Sequence, residues 1–146
     1  MEWRDTQNIG KAQRAAIAVF LILAISVMPA SATSQSEIQM MINTAAKRYS
    51  MDPVRFHIVG PDHKLFKRDP AIAKAVRWQD GDEAIYIVST RAKSQSALLV
   101  VIDHEMSHLK AWRTHGESIK VHGYQWKSTC RKYSAFGSRA CYKSFQ

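Results

Sequence analysis

Between Ser36 and Tyr49, apolar residues return at steps of three and four: Ile38, Met41, Ile42, Ala45, Ala46 and Tyr49. That spacing lines one face of a helix. Ser36 is the expected N-cap, with Gln39 three residues later completing a capping box. Met51-Asp52-Pro53 ends the helix, and a short strand is expected over Arg55 to Val59, closed by Gly60-Pro61. Ile72 to Trp78 and Ala84 to Val88 read as two strands joined at Asp80-Gly81, a pair favoured in tight hairpins. Ala97-Leu98-Leu99-Val100-Val101-Ile102 then opens a long helix capped by Ser94 or Ser96. A last helical pattern begins at His122 and places Trp126, Cys130 and Tyr133 on one face. Helix, three strands, helix, helix predicts an α+β fold with a three-stranded antiparallel or mixed sheet. No repeat or low-complexity tract interrupts it.

The amino terminus has a different texture. Residues 1–14 are polar and carry Arg4, Lys11 and Arg14; Ala15 to Met28 are almost wholly apolar, and Pro29-Ala30-Ser31-Ala32 follow. A charged start, a short apolar stretch and a small-x-small ending describe an export signal cleaved after Ala32. The apolar stretch falls short of the roughly 18 residues expected of a spanning helix. An uncleaved membrane anchor over residues 15–28 is the alternative, and a helix buried in the domain is a further one. Residues 33–146 are enough for one compact domain. Cys130 and Cys141 fit an oxidising compartment, where a disulfide would tie the tail to the last helix; two unpaired thiols, with Cys130 packed as a small hydrophobe, is the other reading.

The chemistry lies in His104-Glu105-Met106-Ser107-His108. Residues four apart on a helix are about 40° from eclipsed, so both imidazoles can grip one zinc ion from the same side. Glu105 is then placed to take a proton from water at the metal. With six His in 146 residues, shuffling yields this pentad roughly once per hundred chains. The uncharged Ile102, Met106, Ser107 and Leu109 suit a buried zinc helix, whereas Lys110 stands where an apolar residue is usual. Two surface histidines on an ordinary amphipathic helix is the plain alternative.

Catalytic zinc usually has three protein ligands. On an unbroken helix, His115 lies about 10.5 Å along the axis from His108, too far to share an ion with bonds of about 2 Å. His122 follows a polar linker, Thr114 to Lys120, long enough to reverse the chain, and is preferred. His57 and His63 read as ordinary strand and loop residues. Asp103 either faces solvent or orients a ligand imidazole.

The HEMSH pentad, followed by His122-Gly123-Tyr124-Gln125-Trp126-Lys127, resembles the SprT-like zinc metallopeptidase domain, in which HExxH is followed by a third His in an HGxxF-type motif. The resemblance spans roughly Ser36 to Tyr133, and its specific part is residues 104–127. It implies a zincin-like core in residues 33–146, His104, His108 and His122 as zinc ligands, Glu105 as general base, and Trp126 as a core anchor. Some members carry a Cys-rich zinc ribbon after the domain; no CxxC occurs here.

The expected function is therefore zinc-dependent hydrolysis of peptide bonds in a protein or peptide substrate. Tyr124, Tyr86 or a basic side chain are candidates to stabilise the developing oxyanion. Ala84 to Val88 is a candidate edge strand for pairing with extended substrate, or else a structural strand beneath the helix. A catalytically silent zinc-binding protein of the cell envelope, with a basic partner-binding face, is the alternative function. The net charge of +9, with Lys127, Arg131, Lys132, Arg139 and Lys143 clustered, suits an anionic envelope surface as well as solubility alone. Export argues against nucleic acid as partner, whereas a retained leader would fit a membrane-tethered or cytosolic protease. Amino-terminal sequencing of the expressed protein separates these: a start at Thr33 is expected, and an intact Met1 would refute cleavage.

Overall fold

The structure, a computed structural model, describes residues 33–141; the leader over residues 1–32, the alternative anchor over 15–28, and Lys143 lie outside the described residues. No helix among the described residues is long and apolar enough to cross a membrane.

Helix α1 (Gln35–Arg48) is capped by Ser34, not Ser36: the Ser34 hydroxyl accepts the Glu37 N–H, and the Glu37 carboxylate accepts the Ser34 N–H at 2.7 Å. The earlier box wins because an ionised carboxylate is a stronger acceptor than the Gln39 amide, and Gln39 bonds Asn43 instead. Strands β1 (Arg55–Ile58), β2 (Ala73–Arg77) and β3 (Glu83–Ile87) form one mixed sheet in the order β1-β3-β2. β1 runs parallel to β3, and β2 antiparallel to it.

The β2–β3 turn spans Trp78 to Asp82. Gly81 N–H donates to the Trp78 carbonyl at 2.9 Å and Trp78 N–H to the Asp82 carbonyl at 2.8 Å. Gly81 adopts φ +88, the left-handed position that a bulged hairpin loop assigns to glycine. β3 is paired on both sides, so Ala84 to Val88 offers no edge; the expectation of an edge strand passes to β2. The sheet is mixed because residues 59–72 carry the chain from β1 across to the far side of β3. Arg91 fastens that crossing, donating to the carbonyls of Asp69 at 2.6 Å and Ala71 at 2.9 Å.

Helix α2 (Gln95–His115) begins at Ser94, whose hydroxyl accepts the Ala97 N–H at 3.1 Å. It ends at Gly116, with φ 82. Helix α3 (Tyr124–Tyr133) follows. Three helices and a three-stranded mixed sheet make the fold α+β. α2 is its axis. One side packs Leu98, Ile102, Met106 and Leu109 against Ile38 and Ile42 of α1 and Ile85 and Ile87 of β3. The other packs Val100 and Ala111 against Trp126 and Cys130 of α3 and Ala140 of the tail. A helix covered on both sides is apolar nearly all round, and Val100 through Leu109 are all buried.

Burial makes the polar residues of that stretch costly unless each is partnered. Asp103 is one of them, and it neither faces solvent nor orients an imidazole. Its carboxylate accepts from the Arg48 guanidinium of α1 and from the Ser134 hydroxyl beyond α3, while its backbone carbonyl accepts the Tyr49 hydroxyl at 3.1 Å. Burial pushes the Asp103 carboxyl above its usual range, and the Ser134 and Arg48 contacts only partly counter it. All three helices are thus joined at one carboxylate. Arg48→Met would strand that charge. We expect a loss of about 2–3 kcal/mol, less than for a fully enclosed pair because Arg48 is 33% exposed, seen as a lower urea midpoint at unchanged m value.

Candidate metal centre

His104 and His108 sit one turn apart on α2, and His122 approaches from the turn that precedes α3. Their Nε2 atoms form a near-equilateral triangle: 3.3 Å between His104 and His108, 3.0 Å between His108 and His122, and 3.1 Å between His122 and His104. The three residues lie close enough to hold one metal ion. The His104 Nδ1–H donates to the Ala140 carbonyl at 2.6 Å. A carbonyl only accepts, so this contact puts the ring proton on Nδ1 and leaves the Nε2 lone pair facing the triangle. A proton can bridge two such nitrogens, whereas a single cation serves all three.

Electrostatics favours the neutral, ligating form of the two α2 rings. Burial lowers the His104 pKa to about 4, with the nearby His122 adding to the effect and the Ala140 carbonyl opposing it. Burial depresses His108 further, helped by its two imidazole neighbours. Trp126, wholly buried, forms the floor, with ring centroids 4.9, 5.0 and 4.5 Å from those of His104, His108 and His122. Its placement as a core anchor therefore holds, and it also limits how far any of the three rings can tilt.

His122 lies outside the helix that was expected to begin with it. It takes φ 56, left-handed backbone, and Gly123 is the N-cap of α3. Left-handed backbone is uncommon for residues other than glycine, though histidine tolerates it better than most. The turn closes when the Gly123 N–H donates to the Lys120 carbonyl at 2.8 Å. Gly123 has an ordinary φ of −74; what it supplies is space. A Cβ there would stand 2.8 Å from the Lys120 carbonyl oxygen and 2.9 Å from its Cβ. The His-Gly pair is thus one device: the glycine permits the tight turn, and the turn aims the imidazole.

Glu105 faces the same open space as the three histidines, a cavity of about 410 Å³ flanked by Ala73, Lys74 and Ala75 of β2 and by Val101 and Trp112 of α2. The Ala75 N–H donates to Glu105 Oε2 at 2.6 Å. Burial raises the Glu105 pKa to about 8, against the pull of that N–H and of Lys74. Burial thus favours the protonated form of Glu105, and a cation held by the three histidines would oppose it.

The remaining candidates lie elsewhere. His115 ends α2 beside Thr129, 3.5 Å from its hydroxyl. His57 and His63 stack on Tyr86, at centroid distances of 4.7 and 5.4 Å. Tyr86 is therefore outside the cavity, and Tyr124 is 83% exposed and does not line it either; neither is placed to stabilise an oxyanion. Cys130 and Cys141 form a disulfide. Sequence reasoning missed the Ala140 carbonyl and the Ala75 N–H, since backbone groups carry no residue signature. No family model, curated protein or solved structure matches the chain.

Gly123→Ala should push the Lys120–His122 turn outward and weaken the binding of a divalent metal ion by about 10–100-fold, the range for losing a group that orients a ligand. Competition with a chromophoric chelator measures it. Gly60→Ala, which meets nothing within 4 Å, should leave the affinity unchanged.

Proposed function

We propose that this protein is a zinc metallopeptidase with a zincin-like core of the SprT-like type, in which His104, His108 and His122 hold the metal and Glu105 is the general base. The observation that carries the reading is the triangle of Nε2 atoms with a buried carboxylate beside it in one cavity. Tetrahedral zinc with bonds of about 2.0–2.1 Å spaces its ligand nitrogens about 3.3 Å apart, and the observed separations are 3.0 to 3.3 Å. An all-imidazole set of three suits catalytic zinc, whereas structural zinc generally has four protein ligands. Among the described residues, the metal-holding group consists of the three histidines alone. That favours hydrolysis over the silent binding protein.

Zinc held by His104, His108 and His122 would supply Lewis acidity and an acidified water near pH 7. The chain supplies the rest. Glu105 takes the proton of the attacking water and returns it to the leaving amine, so no covalent enzyme intermediate is required. The Ala75 N–H, bonded to Oε2, restrains the rotation of that carboxylate.

Substrate orientation follows from β2. Its register with β3 pairs Lys74 and Val76 inward, so the backbone groups of Ala73 and the Ala75 carbonyl point to the open edge, the Ala75 N–H being taken by Glu105. An extended peptide can pair there, its carbonyl groups passing over the metal centre. The Cys130–Cys141 disulfide supports export to an oxidising compartment, with the surface charge available to anionic envelope polymers.

Glu105→Gln keeps the shape and the ligands and removes the base. The variant should retain about one zinc per chain and lose roughly 10²–10⁴-fold in hydrolysis of casein or a peptide pool. Equal digestion by parent and variant would sink the assignment of the base; metal-free parent protein with full activity would sink the zinc.

A further inference from the structure

A second cavity, of about 380 Å³, adjoins the metal cleft. Ile72 and Val101 line both spaces. Val101 lies three residues before His104 and thus on the same side of α2, so a group in the second cavity is a near neighbour of one bound at the metal. Its volume falls within the range of about 300–1,000 Å³ typical of ligand pockets.

The lining has two parts. Ile72, Ala97, Val100 and Val101 give an apolar wall, and Arg91, Lys93 and Arg139 give a cationic rim, with no acidic residue among them. The Arg91 guanidinium is held by backbone carbonyls, neutral acceptors that fix its position, and it shares part of its field with the Asp69 carboxylate. Lys93 and Arg139 are exposed and form no ion pair among the described residues. Ala97 belongs to the first turn of α2, so the positive end of a 21-residue helix adds to the same field. An apolar wall under a positive rim selects a group with a short apolar stem and an anionic end. It repels a lysyl or arginyl side chain, and it offers no acceptor for a neutral amide beyond what water provides.

We propose that this pocket is the specificity site of the hydrolase and that it takes a carboxylate on a short apolar stem, either a glutamyl side chain or the free carboxyl end of a peptide, next to the scissile bond. The inference rests on the peptidase reading and adds the substrate class to it. Lys93 and Arg139 are the determinants open to solvent, and Arg91 is the fixed one.

The test uses the zinc-loaded full chain on matched peptide pools, with the products sequenced by mass spectrometry and the Glu105→Gln protein as blank. One pool carries Glu or Gln at a single position and an amidated end; the other is free of acidic side chains and has either a free or an amidated end. We expect the carboxylate-bearing members of at least one pool to be cut at least about fivefold faster than their neutral counterparts. The first pool reports a side-chain carboxylate and the second a terminal one. Lys93→Glu with Arg139→Glu should reverse the preference toward Lys-bearing peptides, and Lys93→Gln with Arg139→Gln should shrink it without reversal. Cleavage without any carboxylate preference, or a preference untouched by charge reversal, overturns the pocket and leaves the hydrolase standing. No cleavage above the blank by the parent protein overturns both.

Discussion

Three imidazole nitrogens within 3.0 to 3.3 Å of one another set the terms for the rest of the molecule. Two of them need only a helix, because a four-residue step repeats their direction. Holding the helix still is what requires a fold. α2 is clamped between the sheet with α1 on one side and α3 with the tail on the other. The burial that clamps it also removes water from Asp103, His104, Glu105, Ser107 and His108. Each of these polar groups must then find a partner within the protein; Ser107 uses the His104 carbonyl of α2 itself, and the other partners come from α1, β2, the tail and the third histidine. Mutual satisfaction of one buried polar stretch thus fixes how the separate elements sit around it.

The parts of this arrangement that obey a local period were legible in the chain. The faces of α1 and α3, the three strands and the long helix follow from recurrence of apolar residues, and His122 is preferred to His115 because an unbroken helix carries His115 too far from His108. Strand order was not legible, since the alternation within Ala84 to Val88 is the same for a central strand as for an edge. What places β3 in the middle is the crossing of residues 59–72, held by Arg91 contacts to backbone carbonyls that no residue pattern announces. The first cap was misplaced because Ser34-x-x-Glu37 and Ser36-x-x-Gln39 overlap, and only the acceptor strength separates them. His122 was placed on a helix because helical spacing continues through it to Trp126. Its left-handed backbone lies outside any periodicity and is visible only through the glycine that follows.

The tail shows how a segment of little regular structure becomes part of the centre. Ala140 is wholly buried and its carbonyl fixes the His104 ring, yet nothing in an alanine marks such a role. Its neighbour Cys141 is bonded to Cys130 of α3, the helix that also bears Trp126 beneath all three imidazoles. A closed loop of this size restricts the unfolded chain by about 3 kcal/mol in the chain-entropy picture, and here the same bond restricts the tail relative to α3. The carbonyl that sets the proton of the His104 ring and the helix whose indole supports all three imidazoles are therefore tied together by one covalent bond, from the residue after Ala140 to Cys130 of α3. With the thiols reduced, that carbonyl would keep its place through its bond to His104, the Gly137 carbonyl's bonds to the Ala140 and Cys141 N–H groups, and packing in a small cluster of Val100, Ala111, Trp126 and Ala140. The geometry of the three imidazoles and the redox state of their surroundings are for this reason coupled, and the cluster is most rigid with the disulfide closed.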